Sequence, residues 1–268
     1  MRPSPAVLPV ACLTVLLCAP GVAWVAGVRQ PELEARPKAE FPAINRSSLP
    51  NPLTYTRLET AFLDRFPLRE YALEARGRAG LELFRDSPNP DVLLGRDGVL
   101  FYSKELRACT EADGIPGPDP ADGGEIMART LVASGRRTTV VLAGSKIVAQ
   151  RELLRDPRTK DVDCVAAIER SIRERLAATP GGLDLEPQFA AERRERGPVF
   201  LKYDTHWNGA GQLLFARAVL DGIRPGLSDE VGLRSAEPIR WLGDLGQLSG
   251  VRLSESLRPV EAVRPPAK

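Results

Sequence analysis

The apolar positions change their spacing along the chain, and each spacing predicts a different kind of element. Ala6 to Gly27 is a mostly apolar run with no charge in it, flanked by Arg2 and Arg29. At about 1.5 Å of rise per residue a helix of this length crosses a hydrocarbon layer of about 30 Å. The run also fits a secretory signal, with Gly21-Val22-Ala23 as a small-residue cleavage site. Either reading exports the bulk of the protein; the run is longer than a typical signal core, and the flanking charges favour the N-terminus inside. Arg29 to Pro52 is rich in Pro, Glu, Lys and Ala without periodicity and reads as a spacer. From there the period turns helical: Leu53, Leu58, Phe62 and Leu63 mark one helix, Phe66-Pro67 interrupts it, and Tyr71, Leu73, Leu81 and Phe84 mark a second with Pro67 in its first turn. The expected division is a membrane segment over 1–28, a linker over 29–52 and one domain over 53–268.

Within that domain, Val92–Leu94 and Val99–Tyr102 surround Gly95-Arg96-Asp97-Gly98, which predicts a β-hairpin. A loop rich in Asp, Gly and Pro covers Ala108–Gly124, and a helix is expected over Glu125–Ser134. Thr138–Ala143 is a continuous β-branched and apolar run, the pattern of a buried parallel strand. Asp161–Ala177 has Val165, Ile168 and Ile172 on one helical face. A short strand at Leu183–Leu185, a charged helix at Phe189–Arg196, a strand ending at Tyr203 and a helix over Gln212–Ile223 complete the alternation. Such an order predicts an α/β domain of three layers with a parallel central sheet and right-handed crossovers.

Composition narrows the partners. The 268 residues carry 37 basic and 35 acidic side chains, a net charge of +2, so no polyanion field is implied and nucleic acid is not an expected partner. Most of the bases are Arg, which would suit carboxylate-bearing sugars, but a genome-composition bias explains the same thing more simply and is the preferred account. One His and unclustered cysteines make no metal site. Cys12 and Cys18 fall in the apolar run; Cys109 and Cys164 are left either to bridge or to remain two free thiols in a compartment that permits disulfides.

Candidate chemistry centres on Leu201–Gln212, reading Leu-Lys-Tyr-Asp-Thr-His-Trp-Asn-Gly-Ala-Gly-Gln. It holds the only histidine, His206, with Asp204 two positions before it. In an extended or tightly turned backbone this spacing lets the carboxylate accept from one ring nitrogen, fixing the tautomer and leaving the other nitrogen as a base. Ser145, where the Thr138–Ala143 run ends, is the one internal nucleophile candidate by position, and a weak one; an ordinary turn serine is the preferred reading.

Tyr203-Asp204-Thr205-His206-Trp207-Asn208-Gly209-Ala210 resembles the motif of the alginate O-acetyltransferase family of the AlgJ and AlgX type, whose catalytic domain is similar to SGNH hydrolases. Asp64-Arg65-Phe66-Pro67-Leu68-Arg69, the hairpin Gly95-Arg96-Asp97-Gly98-Val99-Leu100-Phe101, Lys146 and Trp241-Leu242-Gly243-Asp244-Leu245 resemble further stretches of that family. The resemblance implies an SGNH-like fold and transfer of acetyl to polysaccharide hydroxyls through an acetyl-serine. It casts Asp204 as orienting acid and His206 as base, with Tyr203, Trp207, Asn208 and Lys146 as candidate substrate-binding residues. It implies no cofactor, a polysaccharide substrate, an envelope location and a membrane partner supplying acetyl. The family's serine lies well beyond its Asp-x-His motif, and Ser249, Ser254 and Ser256 here read as helix-cap or loop serines. The sequence therefore leads one to expect a domain incomplete at its C-terminal side. The other readings are a non-catalytic envelope protein and a secreted esterase.

Overall fold

A computed structural model describes residues 7–28, 37–110, 120–135, 139–155, 159–179 and 181–263. Arg2, Ala6, positions 29–36 of the expected spacer, most of the 108–124 loop and Thr138 lie outside the described residues. Contacts divide the chain into two units, residues 1–84 with 250–252 and residues 85–249 with 253–268.

In the first unit the apolar run forms α1 (Val7–Val25), exposed along most of its length and long and apolar enough to cross a membrane. Asn51 starts α2 (Pro52–Asp64) by accepting the Leu53 N–H, and Pro52 occupies the first turn, where no N–H is missed. α3 (Arg69–Arg78) follows and runs on as a π-helical turn over Ala79–Phe84. The sequence puts Pro67 in the first turn of this second helix; it lies ahead of the helix, because Leu68 between them takes a left-handed conformation with φ 70°.

The second unit opens with the hairpin β1 (Val92–Leu94) and β2 (Leu100–Tyr102), antiparallel with Leu93 opposite Phe101. Next come α4 (Arg107–Thr110), α5 (Pro120–Ala133), β3 (Val140–Val141), α6 (Lys146–Ala149), α7 (Thr159–Ala177), β4 (Gly182–Leu183), α8 (Glu186–Arg196) and α9 (Gly209–Ile223). The unit closes with α10 (Leu227–Val231), β5 (Leu233–Ser235), β6 (Ile239–Leu242), α11 (Asp244–Leu248), β7 (Ser254–Leu257) and β8 (Val260–Ala262).

The expected parallel central sheet is represented among the described residues by one parallel pair, β3 with β4; the other pairings, β1–β2, β5–β8 and β6–β7, are antiparallel. Val199–Leu201, expected as a strand end, is buried and among the described residues belongs to none of the strands β1 to β8. Its hydrogen bonds close the next turn instead: the Leu201 N–H donates to the His206 carbonyl, and Val199 accepts from Asn208. Ser254 and Ser256 stand in strand β7 rather than in a cap or loop, and Ser249 follows α11.

Two apolar clusters flank this run. One packs Phe101 and Leu106 against Ile147, Leu154, Val162 and Val165. Beside it Cys109 and Cys164 are joined as a disulfide, tying α4 to α7 across a separation of 55 residues; on chain entropy such a link contributes about 4 kcal/mol. The other gathers Leu185, Phe189, Val199 and Phe200 around Trp207.

Candidate functional site

Leu201–Asn208 forms a short reversal between the buried run and α9, pinched by a bridge between Phe200 and Trp207. Its backbone is held from several elements. Glu255 on β7 accepts the N–H groups of Lys202 and Tyr203, each at 2.8 Å. The Lys202 carbonyl accepts from the Leu100 N–H, and the Tyr203 carbonyl accepts from the N–H groups of Leu245 and Gly246 at the start of α11. That last approach requires Gly243, since a Cβ there would lie 2.2 Å from the Tyr203 oxygen. The Lys146 ammonium donates to the carbonyls of Leu100, Lys202 and Asp204 at 2.6, 3.1 and 3.0 Å.

Within this frame Asp204 is 1% exposed. One carboxylate oxygen faces the N–H of His206 at 2.9 Å and its Nδ1 at 2.6 Å; the other accepts from Trp241 Nε1 at 2.9 Å and the Asp244 N–H at 3.0 Å. Burial alone would raise the Asp204 pKa; the donors from Trp241, His206 and Asp244 outweigh it and hold the carboxyl below its ordinary value. An ionised carboxylate only accepts, so Nδ1 is the donor to it, and in the neutral imidazole Nε2 is the nitrogen with the lone pair. The imidazole side chain is 72% exposed, and among the described residues Nε2 has no hydrogen-bond partner. Asp244 reinforces the arrangement by accepting from the Thr205 N–H at 2.9 Å and hydroxyl at 2.5 Å, with its carboxylate 3.8 Å from Nδ1.

Asp204, His206 and Asp244 bring ligand-type atoms within 4.8 Å of one another. Each Asp204 oxygen already faces two N–H donors. The set is therefore organised as a network that orients an imidazole rather than as an open shell of oxygen ligands.

The other sequence candidates have different neighbours. Lys146 is 1% exposed, so its ammonium positions the reversal and faces no substrate; burial draws its pKa down to about 8 against the fields of Glu255, Glu105, Asp204 and Asp244. Trp207 is turned inward, its ring centroid 5.1 Å from Phe189 and 5.0 Å from Phe215. Asn208 caps α9, its side-chain oxygen accepting from Ala210 and Gly211 and its amide donating to Pro198, which occupies both ends of the group. Tyr203 is half-buried with Lys202 over its ring, and its hydroxyl is without a hydrogen-bond partner among the described residues. Ser145 Oγ is buried and, among the described residues, without a partner, beside a cavity of about 30 Å³, room for water rather than for a sugar.

Sequence reasoning gave no role to Trp241, Asp244 or Glu255. The first two lie in the Trp241–Leu245 stretch already singled out. Glu255 had no signal, since its partners are more than 50 residues away.

Residues 92–266 match the family described as SGNH hydrolase-like domain, acetyltransferase AlgX. The probable alginate O-acetylase AlgJ of Pseudomonas putida is 26% identical over 186 residues, which cover 62% of this chain and 42% of that relative. The chain thus spans less than half the length of the curated relative it matches. Among solved structures, Pseudomonas aeruginosa AlgX aligns with a TM-score of 0.47 and 16% identity over 65% of this chain and 44% of that one. The O-acetyltransferase domain of Pseudomonas putida AlgJ aligns with a TM-score of 0.43 and 20% identity over 65% and 66%.

Proposed function

The chain belongs to the family of SGNH hydrolase-like acetyltransferase domains of the AlgX type, and from that membership we propose that it supplies the acid–base pair for O-acetylation of an alginate-type exopolysaccharide outside the cytoplasm. The domain of this reading is 53–268, carried behind a membrane segment over 1–28 and a linker over 29–52. A membrane partner passes acetyl groups outward to it.

One observation carries the proposal: a fully hydrogen-bonded, buried Asp204 holds Nδ1 of an otherwise exposed His206, so a single basic atom, Nε2, faces outward. Nε2 takes the proton of a serine hydroxyl as its oxygen attacks the acetyl carbonyl of the donor, then returns that proton to the departing group. An acetyl-serine remains. Nε2 next takes the proton of a sugar hydroxyl, whose oxygen attacks the acetyl-serine, and the proton passes back to the serine oxygen as the ester leaves on the sugar. Asp204 stabilises the imidazolium in both steps without itself becoming protonated. Among the described residues no serine is hydrogen-bonded to Nε2, and the serine of this proposal is left unassigned.

The test is acetyl release from a chromogenic acetyl ester, and transfer to oligomannuronate, by wild type and His206→Ala in membranes. Turnover lost in the variant supports the pair; turnover that survives it removes His206 from the chemistry. A folded chain with no turnover favours the non-catalytic reading, which the unpartnered Nε2 and the 42% coverage also accommodate. Release without transfer favours the esterase.

A further inference from the structure

Beside β7 lies an open groove of about 440 Å³ that the acid–base chemistry does not use. Successive residues of a strand point to opposite faces. Glu255 reaches the site backbone, while its neighbour Ser256 lines the groove together with Ser235. The groove also runs along α9, where Leu213 and Leu214 give it an apolar side. It begins at Asn208, two residues after His206.

Its charge is one-sided. Arg196, Arg217 and Arg258 line it, against a single carboxylate, Glu192. Glu192 is paired with Arg196, and Arg217 has the nearby field of Asp221. Arg258 is exposed and has no ion-pair partner among the described residues. Its place is fixed by its backbone: the Arg258 carbonyl sits so close to the start of α9 that a Cβ at position 209 would lie 2.3 Å from it, so Gly209 is required. A guanidinium fork matches a carboxylate in two parallel hydrogen bonds, and the hydroxyls of Ser235 and Ser256, without a hydrogen-bond partner among the described residues, and the apolar wall match the remaining faces of a sugar ring.

We propose that this groove is a subsite for the carboxylate of a uronate unit in the polymer, with Arg258 and Arg217 as its recognition pair. The assignment rests on the acetyl-transfer reading for the nature of the polymer. It adds a grip on an acidic sugar of the same polymer whose hydroxyl the basic atom would act on.

Binding is measured without turnover, so an inactive acid–base pair does not affect the result. The full chain, in detergent, is titrated calorimetrically with a hexamer of mannuronate, with a neutral glucan hexamer and with inorganic phosphate. The expected result is saturable binding of the uronate oligomer alone, weakened by raising salt to about 0.5 M. Arg258→Glu and Arg217→Glu should each weaken it by about tenfold or more, and Arg258→Lys by less, because Lys lacks the fork. Circular dichroism melts equal to wild type establish that the variants fold. Equal binding of the neutral oligomer, equal competition by phosphate, or unchanged binding in both Glu variants would each overturn the subsite. Uronate binding that depends on Arg258 in a chain without turnover would uphold it while removing the catalytic reading.

Discussion

Two regions of the second unit begin alike and end as opposites. Val199–Asn208 and Val140–Lys146 each follow an apolar run with a polar turn and then a helix, α9 in one case and α6 in the other. In the first, the polar groups around the turn are bonded so that one reactive atom is left outward: Asp204 is sealed in and His206 is 72% exposed. In the second, everything turns inward. The Ser145 hydroxyl is buried and, among the described residues, without a partner, its N–H is taken by Glu169 at 2.9 Å, and the next side chain, Lys146, is committed to three carbonyls. Position after a strand-like run does not make a nucleophile. What decides is whether the surrounding hydrogen bonds leave the hydroxyl or imidazole facing the solvent.

The largest effect that separates the regions is expected at the carboxylate. Asp204→Asn replaces an acceptor facing four N–H groups with an amide that accepts at one end only, so the imidazole loses its tautomer and its anchor. Acetyl-ester turnover should fall by about 10³ to 10⁴-fold, as should that of His206→Ala. A loss smaller than about tenfold in either variant, with folding intact by circular dichroism, would put the two regions on the same footing.

The next effect joins the regions. Lys146 belongs by sequence to the second turn and by its bonds to the first. Lys146→Met keeps the length of the side chain and leaves the carbonyls of Leu100, Lys202 and Asp204 without that donor. A destabilisation of about 4 kcal/mol is expected, read as a lowered urea midpoint at constant slope. If the midpoint is unchanged, the ammonium is not what fixes the reversal.

That linkage also marks what was legible. Asp204 and His206 could be paired from sequence because their contact is local, two residues along one turn. The hairpin, α7 and the apolar α1 follow from their own periodicity, and the disulfide was an open alternative resolved only in three dimensions. Lys146 and Glu255 meet the reversal from 56 and 53 residues away, and no spacing rule covers a buried charge whose partners are backbone atoms. Trp207 stood beside the histidine and read as a substrate contact. Its direction is set by Phe189 and Phe215 on two other helices, a packing preference that a single stretch does not display. The expected parallel sheet is met among the described residues by the β3–β4 pair alone, and the apolar run at 199–201, which looks like a central strand, returns its hydrogen bonds to its own turn.

A pH experiment sharpens the comparison from the inward side. Glu105 accepts from the Ile147 N–H in α6, and burial raises its pKa from 4.5 to about 7, with that hydrogen bond and Lys146 opposing the rise. A pKa raised on folding means that between these values the native chain holds the proton more tightly than the unfolded one. The contribution is complete below about 4.5 and is lost as pH rises through 7. The loss amounts to at most about 3 kcal/mol. Glu105→Gln should therefore flatten the fall in stability across that window, measured as urea midpoints at several pH values. A variant with the same slope as wild type would mean that Glu105 does not titrate there.

The smallest expected effect tests the comparison at its most exposed point. Ser145→Ala removes a hydroxyl that has no partner among the described residues and whose cavity of about 30 Å³ admits water only. Because a buried polar group without a hydrogen bond costs stability, its deletion should leave the protein unchanged or more stable by up to about 1 kcal/mol. Turnover, if the chain has it, should match wild type. A fall comparable to that of Asp204→Asn would mean that Ser145 swings out to meet Nε2 during the reaction. The inward turn would then be a resting state of the nucleophile, and the chain would hold all three members of its triad.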